Sequence, residues 1–181
     1  AASDVYKRQP GHNTKGENPV GITIANGKII TNRSLEGSSY GLIGFNEDNT
    51  LVLLHNVTGE SALEMGVRDA VTMAPFLIVN EKPAFTKGNG GWGYAARTAI
   101  GQRKDGIVLF LVIDSNHTRT KGASMKDLVE IMQRYGAVNA ANLDGGTSSA
   151  MVENGIMIND PIDSVGRHRT CLLYTSDAAD D

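Results

Sequence analysis

Cysteine is almost absent from this chain of 181 residues, since Cys171 near the C-terminus is the only one. A single thiol cannot close an internal disulfide or supply the cysteine pairs of a zinc site, and the sequence has no HExxH motif. Basic residues are not in excess either, because 17 Lys and Arg stand against 20 Asp and Glu. The net charge of −3 therefore argues against a nucleic-acid partner.

Long apolar runs are also missing. No stretch approaches the ~20 residues that a membrane-spanning helix needs, and the first residues contain no apolar segment of the signal-peptide type. A hydrophobic content of 40% and a charged content of 20% are typical of a globular protein. The length predicts one domain with a sizeable core.

The two ends of the chain differ from the rest. Residues 1–9 (AASDVYKRQ) and 171–181 (CLLYTSDAADD) resemble translated sequencing-adapter sequence. We therefore expect two non-native flanks that pack poorly, around a domain of residues 10–170 that is truncated at both ends.

Paired strands joined by turn residues account for most of the remaining pattern. The strongest hairpin signal is Asn26-Gly27 between two apolar runs, because both residues accept positive φ. The run 107–114 is apolar on both faces, which predicts a central strand covered on both sides. Four further turns between strands are predicted at residues 46–49, 80–82, 104–106 and 154–155.

Two helices are predicted between these strands. One begins after Ser124, an N-cap with Asp127 three residues on, and ends at Gly136. Its apolar face is formed by Met125, Leu128, Val129, Met132 and Tyr135. The other is short, with a capping box at Ser61 and Glu64. Hairpins with one or two packed helices predict an α+β fold built on a mixed, largely antiparallel sheet.

The stretch 142–151 (NLDGGTSSAM) carries the densest chemistry. It follows a short apolar run at 137–141 that reads as a buried strand, so Asp144 is expected at a strand end, facing a cleft. Gly145 and Gly146 allow positive φ or a close ligand approach. Thr147, Ser148 and Ser149 add hydroxyl and backbone donors. The alternative is an ordinary Asp-Gly-Gly turn with a solvated Ser/Thr run.

Arg97 and Asp114 are the other two charged candidates, each at the end of an apolar strand. A buried Arg97 needs a partner, which is either an internal carboxylate or an anionic ligand held by the guanidinium fork. Asp114 and Asp144 are carboxylates of the kind that hold Ca²⁺ or Mg²⁺, although no EF-hand spacing supports a metal. The glycine loop, residues 88–93, matches no phosphate-binding motif. Trp92 in this loop and Tyr94 just after it either stack on a sugar or anchor the loop to the core.

Several stretches together resemble the phosphodiester glycosidase family, whose members include bacterial exopolysaccharide-related proteins. They are Pro19-Val20-Gly21, Arg97-Thr98-Ala99-Ile100-Gly101, Val112-Ile113-Asp114, the helix from Ser124 to Gly136, Asn142 to Ser149, and Gly166-Arg167. The family's Asn-Gly-Gly-aromatic motif upstream of the first hairpin has no counterpart in residues 10–18. The Gly-Arg that commonly follows the second acid is Ser115-Asn116 here.

This resemblance implies a hydrolase that removes a sugar from a glycan sugar-1-phosphodiester. It implies Asp144 as first and Asp114 as second choice for the catalytic carboxylate, with Arg97 stabilising the departing phosphate. Substrate-binding residues would be Asn142, Gly145, Gly146, Thr147, Ser148, Ser149, Thr98 and Arg167. The partner would be a glycan phosphodiester or polysaccharide, and the location the cell envelope or outside the cell. The alternatives are a non-catalytic glycan- or phosphate-binding envelope domain and an enzyme acting on another phosphodiester.

Overall fold

A computed structural model of the chain describes residues 21–34, 39–115, 120–146 and 149–160. The predicted flanks and the loop before the first strand lie outside these ranges. Within them, neither helix has the length and apolar composition required to cross a bilayer.

The first half of the chain folds into a five-stranded sheet. Its strands are β1 (Ile22–Ala25), β2 (Lys28–Asn32), β3 (Gly41–Asn46), β4 (Leu51–Leu54) and β5 (Val67–Met73), in the order β2-β1-β5-β3-β4. Helix α1 (Gly59–Glu64) connects β4 to β5.

The second half forms another five-stranded sheet. Its strands are β6 (Phe76–Val79), β7 (Lys82–Pro83), β8 (Arg97–Arg103), β9 (Val108–Ile113) and β10 (Ala137–Asn142), in the order β7-β6-β10-β8-β9. Helix α2 (Met125–Arg134) lies between β9 and β10 in the chain, and a small ribbon of β11 (Val152–Glu153) and β12 (Ile156–Met157) follows.

Three apolar clusters stack these elements into four layers, α1, first sheet, second sheet and α2. Ala62 of α1 packs on the first sheet beside Ile22 and Ala70. Residues of both sheets, Ile43 and Ile100 among them, fill the space between the sheets. On the outer face of the second sheet, α2 buries four apolar side chains, each contributing ~1.5–3 kcal/mol. The second sheet is therefore covered on both faces, which leaves its strand ends as the accessible edge for a site.

Most predicted elements are confirmed. All predicted turns join paired strands, and Asn26 and Gly27 have φ of 49° and 68°. Ser124 caps α2 with Asp127 in a reciprocal capping box, and β10 is the buried strand predicted ahead of Asp144. The strand pairs in the described residues are all antiparallel. The predicted α+β class with antiparallel sheets and packed helices is therefore confirmed, while the predicted mixture of parallel and antiparallel strands is not observed there.

Four predictions about individual elements were wrong or incomplete. Strand β5, the centre of the first sheet, was missed because Arg68-Asp69 interrupts its apolar pattern. Strand β9 comes last in its sheet rather than in the middle, and its side chains are only half-buried. The capping box of α1 is formed by Thr58 and Ser61, one turn earlier than predicted. Tyr135 is the C-cap of α2 and is exposed, so it does not extend the apolar face.

Candidate active site

The three charged candidates lie at one end of three adjacent strands. Arg97 is the first residue of β8 and pairs with Ile113, so Asp114 follows directly at the end of β9. On the other side of β8, Asn142 of β10 pairs with Ala99, and the Leu143 N–H donates to the Thr98 carbonyl at 2.8 Å. This continued pairing brings Asp144 beside the start of β8. The structure thus gathers Arg97, Asp114 and Asp144 at one edge of the second sheet.

The pleat of β8 decides which face of the second sheet Arg97 occupies. Ala141 and Leu143 both belong to the cluster between the two sheets, whereas Ala99 belongs to the cluster under α2. Because side chains alternate along a strand, Arg97, two residues before Ala99, falls on the α2 face. Asp144 lies in the turn two residues after the end of β10, and the catalytic interpretation requires its carboxylate to face Arg97 from there.

The Asp-Gly-Gly turn is held by its backbone against the residue before Arg97. The Gly146 N–H donates to the Ala96 carbonyl at 2.8 Å, and Gly146 has a φ of +65°. A Cβ at Gly145 would lie 2.8 Å from the same Ala96 oxygen, closer than such atoms normally approach. Glycine is therefore required here for a close backbone approach, and the half-buried Asp144 is fixed at the end of β10.

Arg97 is buried and its guanidinium is bound by backbone carbonyls. It is 7% exposed. Its Nε donates to the Ala123 carbonyl at 3.1 Å, and its Nη2 donates to the Trp92 and Gly93 carbonyls at 3.0 and 2.9 Å. Burial lowers the pKa of Arg97 from its ordinary value. The sequence suggested a carboxylate or a ligand anion as the partner of this charge, whereas these three contacts tie it to the glycine loop and to the start of α2.

Asp114 accepts two hydrogen bonds from the segment after the small ribbon. Its Oδ1 accepts from Asn159 Nδ2 at 2.6 Å, and its Oδ2 accepts from the Asp160 N–H at 2.8 Å. Asn159 Nδ2 also donates to the Ser149 carbonyl at 3.2 Å, and Asn159 Oδ1 accepts from the Met151 N–H at 2.7 Å. Asn159 was not predicted as a site residue, and only its place at the end of an apolar run, before Asp160-Pro161, marks it in the sequence.

Three predicted substrate contacts are buried side chains. The Thr98 hydroxyl donates to Ser149 Oγ at 3.3 Å, and these residues are 3% and 1% exposed. Asn142 Nδ2 donates to the Ala74 carbonyl at 2.9 Å, while Asn142 Oδ1 is buried without a hydrogen-bond partner among the described residues. These side chains line the floor beneath the turn rather than its surface.

The remaining predicted contacts, Thr147, Ser148 and Arg167, lie outside the described residues. In the described part of the chain, no three His, Cys, Asp or Glu side chains cluster as a metal site. Asp114 and Asp144 thus stand as the only predicted metal-ligand pair, with no third ligand described beside them.

An open depression of about 410 Å³ lies at the opposite end of β8, lined by Arg103, Lys104, Asp105, Arg134, Tyr135 and Gly136. None of the predicted site residues borders it. Arg103 and Asp105 satisfy each other there in an exposed ion pair of 2.6 Å. This surface is separate from the strand ends that hold Asp144.

The comparison with known families agrees with this geometry. A model of the family described as phosphodiester glycosidase matches residues 3–173. The chain belongs to the phosphodiester glycosidase family. The resemblance carried by the RTAIG and NLDGG stretches is thereby confirmed, and both stretches meet at the strand ends of the second sheet.

Curated relatives match over part of their length. The chain is 29% identical over 143 residues to the SPbeta prophage-derived protein YomE of Bacillus subtilis strain 168, which covers 76% of this chain and 22% of that protein. It is 40% identical over 70 residues to the human N-acetylglucosamine-1-phosphodiester alpha-N-acetylglucosaminidase, covering 38% of this chain and 13% of the enzyme. The chain therefore spans less than a quarter of either relative.

A solved structure shares the fold. The catalytic domain of the zebrafish N-acetylglucosamine-1-phosphodiester alpha-N-acetylglucosaminidase, auto-inhibited by its pro-peptide, superposes with a TM-score of 0.68 at 22% identity. The match covers 87% of this chain and 56% of the zebrafish chain. A protein from Synechocystis superposes with a TM-score of 0.54 at 14% identity. At these identities the likeness establishes the architecture of the family and not a substrate.

Proposed function

We propose that the chain is the core of a hydrolase that cleaves a sugar from a glycan sugar-1-phosphodiester. The observation that carries the proposal is the strand register that brings the half-buried Asp144, in the turn after β10, to the same edge of the sheet as Arg97. A carboxylate beside a buried cation at an accessible sheet edge suits a reaction in which an anionic group departs.

Asp144 acts at the anomeric carbon in this proposal. Its carboxylate either attacks that carbon or takes a proton from the attacking water, and water finally supplies the oxygen of the released reducing sugar. The bond from the anomeric carbon to the phosphate oxygen breaks, and a phosphate monoester departs with the bond's electron pair. Such a leaving group needs little protonation, so one carboxylate can suffice.

Arg97 supports the negative charge that develops on the departing phosphate. Its positive charge lies in a water-poor environment, where electrostatic stabilisation is stronger than in solvent. Its three carbonyl contacts hold the guanidinium in place before the reaction. Thr147, Ser148 and Arg167 remain the proposed direct phosphate contacts. Gly146, where an added Cβ would enter open space, gives the substrate access to the turn, whereas Gly145 allows the turn to pack closely against Ala96.

Four further residues have supporting roles in this proposal and do not react with the substrate: Asp114, Thr98, Asn142 and Ser149. The two hydrogen bonds accepted by Asp114 hold the segment after β12 to the strand ends. The bond between Thr98 and Ser149 fixes the far side of the Asp-Gly-Gly turn. We assign the reacting carboxylate to Asp144, which the family motif makes the first choice, and a positioning role to Asp114, which holds the segment after β12.

The engagement of Asp114 also favours a second candidate function. Ordinary glycosidases use two carboxylates, and here one of the two candidates is occupied by structural hydrogen bonds. A domain that carries a carboxylate and a buried cation at one sheet edge can bind a glycan or a phosphate without cleaving it. An exported or cell-envelope location, implied by the family resemblance, belongs to either candidate.

Hydrolysis in ¹⁸O-labelled water tests the proposal and separates the candidates. The substrate is an N-acetylglucosamine-1-phosphodiester with a simple alkyl group, and the products are analysed by mass spectrometry. A glycosidase places ¹⁸O in the reducing sugar, because the carbon–oxygen bond breaks. Label in the phosphate would instead indicate a phosphodiesterase that breaks the phosphorus–oxygen bond. Binding of the diester without any product would favour the binding domain.

A further inference from the structure

The glycine loop, residues 88–93, is anchored by its backbone at several points. Gly90 packs so closely that an added Cβ would lie 2.9 Å from Met125 Cβ and 3.0 Å from Phe85 Cδ1. Arg97 Nη2 holds the carbonyls of Trp92 and Gly93. Just after the loop, Ala95 and Ala123 exchange two backbone hydrogen bonds of 3.2 and 2.9 Å. The loop therefore has a defined backbone course despite its four glycines.

The aromatic side chains on this anchored backbone face outward. Trp92 is 48% exposed and Tyr94 is 60% exposed. The contacts of Arg97 and Gly90 anchor the loop, and the exposed parts of the rings are available for the other role left open by the sequence, stacking on a sugar. Each of these two exposed rings, held on an anchored backbone, offers an apolar face and a polar edge. We call Trp92 and Tyr94 the aromatic platform.

The aromatic platform adjoins the turn that carries Asp144. Ala96, two residues after Tyr94, accepts the hydrogen bond from Gly146 and packs against Gly145. The Arg97 side chain donates a hydrogen bond to the Trp92 carbonyl. The next residue, Thr98, accepts a hydrogen bond at its carbonyl from the Leu143 N–H, just before Asp144. The same short segment of chain thus connects the aromatic platform to the proposed reaction centre.

We propose that the aromatic platform binds a sugar ring of the substrate by stacking, and that Arg97 is the positioning residue that fixes it. This inference rests on the proposed function, whose substrate contains both a sugar and a phosphate. The negative faces of the rings repel a phosphate and accept the C–H face of a pyranose. The aromatic platform therefore recognises the sugar, while the Asp-Gly-Gly turn faces the reacting bond.

Trp92 reports directly on this binding, because it is the only tryptophan in the chain. Free N-acetylglucosamine, which lacks the reacting phosphate, is titrated while the tryptophan emission is recorded. We expect a blue shift of the emission and protection from acrylamide quenching, since the stacked sugar excludes water from the indole. Inorganic phosphate should leave the emission unchanged. An emission insensitive to the sugar, or equally sensitive to phosphate, overturns the inference.

Tyr94→Ala and Tyr135→Ala form a matched pair for the kinetic test. Both tyrosines are exposed, at 60% and 62%, and Tyr135 lies at the far end of α2. Loss of a stacking contact in Tyr94→Ala should raise KM roughly tenfold with a smaller change in kcat, and weaken the response of Trp92 to the sugar similarly. Tyr135→Ala should match the wild type. Equal KM values in the two variants would overturn sugar binding by the aromatic platform. This would hold even if both variants cleave the diester and so support the proposed hydrolase.

A double-mutant cycle tests the positioning role of Arg97. Arg97→Lys keeps the charge but loses the planar fork that spans two carbonyls. If Arg97 acts through the aromatic platform, Arg97→Lys should lower kcat/KM much less in a Trp92→Ala background than in the wild type. Additive losses would overturn the positioning role and leave Arg97 only its electrostatic role toward the departing phosphate. A sugar-responsive Trp92 in a protein without any turnover would keep the platform and remove the proposed hydrolase.

Discussion

Gly122→Ala should destabilise the protein by disturbing the junction between the glycine loop and α2. Gly122 has a φ of +77°, and a Cβ there would lie 2.2 Å from the Ala95 carbonyl oxygen and 2.3 Å from its carbon. These atoms belong to backbone, so a side-chain rotation cannot relieve the contact. The two chain segments must move apart where Ala95 and Ala123 exchange their backbone hydrogen bonds.

The expected loss has two parts. Placing a residue with a Cβ at positive φ costs about 1 kcal/mol. Losing or stretching the two backbone hydrogen bonds costs a further ~0.5–1.5 kcal/mol each. The sum, about 2–4 kcal/mol, is a large part of the ~5–15 kcal/mol that stabilises a typical domain.

Gly106→Ala is the matched control. Gly106 has a φ of +87°, but an added Cβ would meet nothing within 4 Å. The control therefore carries the conformational cost of about 1 kcal/mol without the clash. Urea denaturation of both variants measures the difference, and a gap of ~2 kcal/mol corresponds to a midpoint shift of about 1 M at unchanged slope. Equal losses in the two variants would refute the close packing of Gly122 against Ala95.

Two further predictions concern carboxylates outside the reaction centre. Asp114→Asn should lower the free energy of unfolding by about 1–3 kcal/mol, because the amide cannot accept from both Asn159 and the Asp160 N–H. Its loss of turnover should be no larger than this destabilisation explains, which would distinguish the positioning role of Asp114 from the catalytic role of Asp144. Partial burial would raise the pKa of Asp69, but hydrogen bonds from Arg68 and the Asn26 N–H outweigh it and lower that pKa. The stability that Asp69 contributes is therefore present above its unfolded pKa of about 4 and is lost as pH falls through the lower folded pKa. Asp69→Asn should flatten this part of the acid unfolding curve. Because the Asp69 side chain is 41% exposed and screened by solvent, the change in the free energy of unfolding should stay below about 1 kcal/mol.

The fold was largely predictable because its hairpins and its long helix carry local signals. Asn26-Gly27 and the capping pair Ser124 and Asp127 determine their elements within a few residues. Strand β5 was not predictable in the same way, since its partners β1 and β3 lie far away in the chain and its charged pair masks the alternation. The place of β9 at the end of its sheet also depends on strand order, which local sequence does not encode.

The site was predictable at the level of residue types and less so at the level of roles. The family motifs pointed to Arg97, Asp114 and Asp144, which the strand register brings to one edge. That Arg97 binds the carbonyls of Trp92 and Gly93, and that Asp114 binds Asn159, depends on loop conformations. Burial likewise separated Thr98 and Ser149 from the half-buried Asp144, although all three are polar residues in the same motifs.

Asp144→Asn tests the central claim most directly, because it replaces the reacting carboxylate by a group of nearly the same size. The amide can neither attack carbon nor accept a proton, so release of reducing sugar from an N-acetylglucosamine-1-phosphodiester should fall by roughly 10³-fold or more. Binding of the diester, measured by calorimetry, should persist or tighten, since a negative charge near the phosphate is removed.

Asp105→Asn, an exposed change at the other end of β8, is the control and should retain normal turnover. Urea denaturation should show that both variants remain folded. We expect a folded Asp144→Asn protein that binds the diester and does not cleave it. Turnover in Asp144→Asn close to that of Asp105→Asn would remove Asp144 from the reaction.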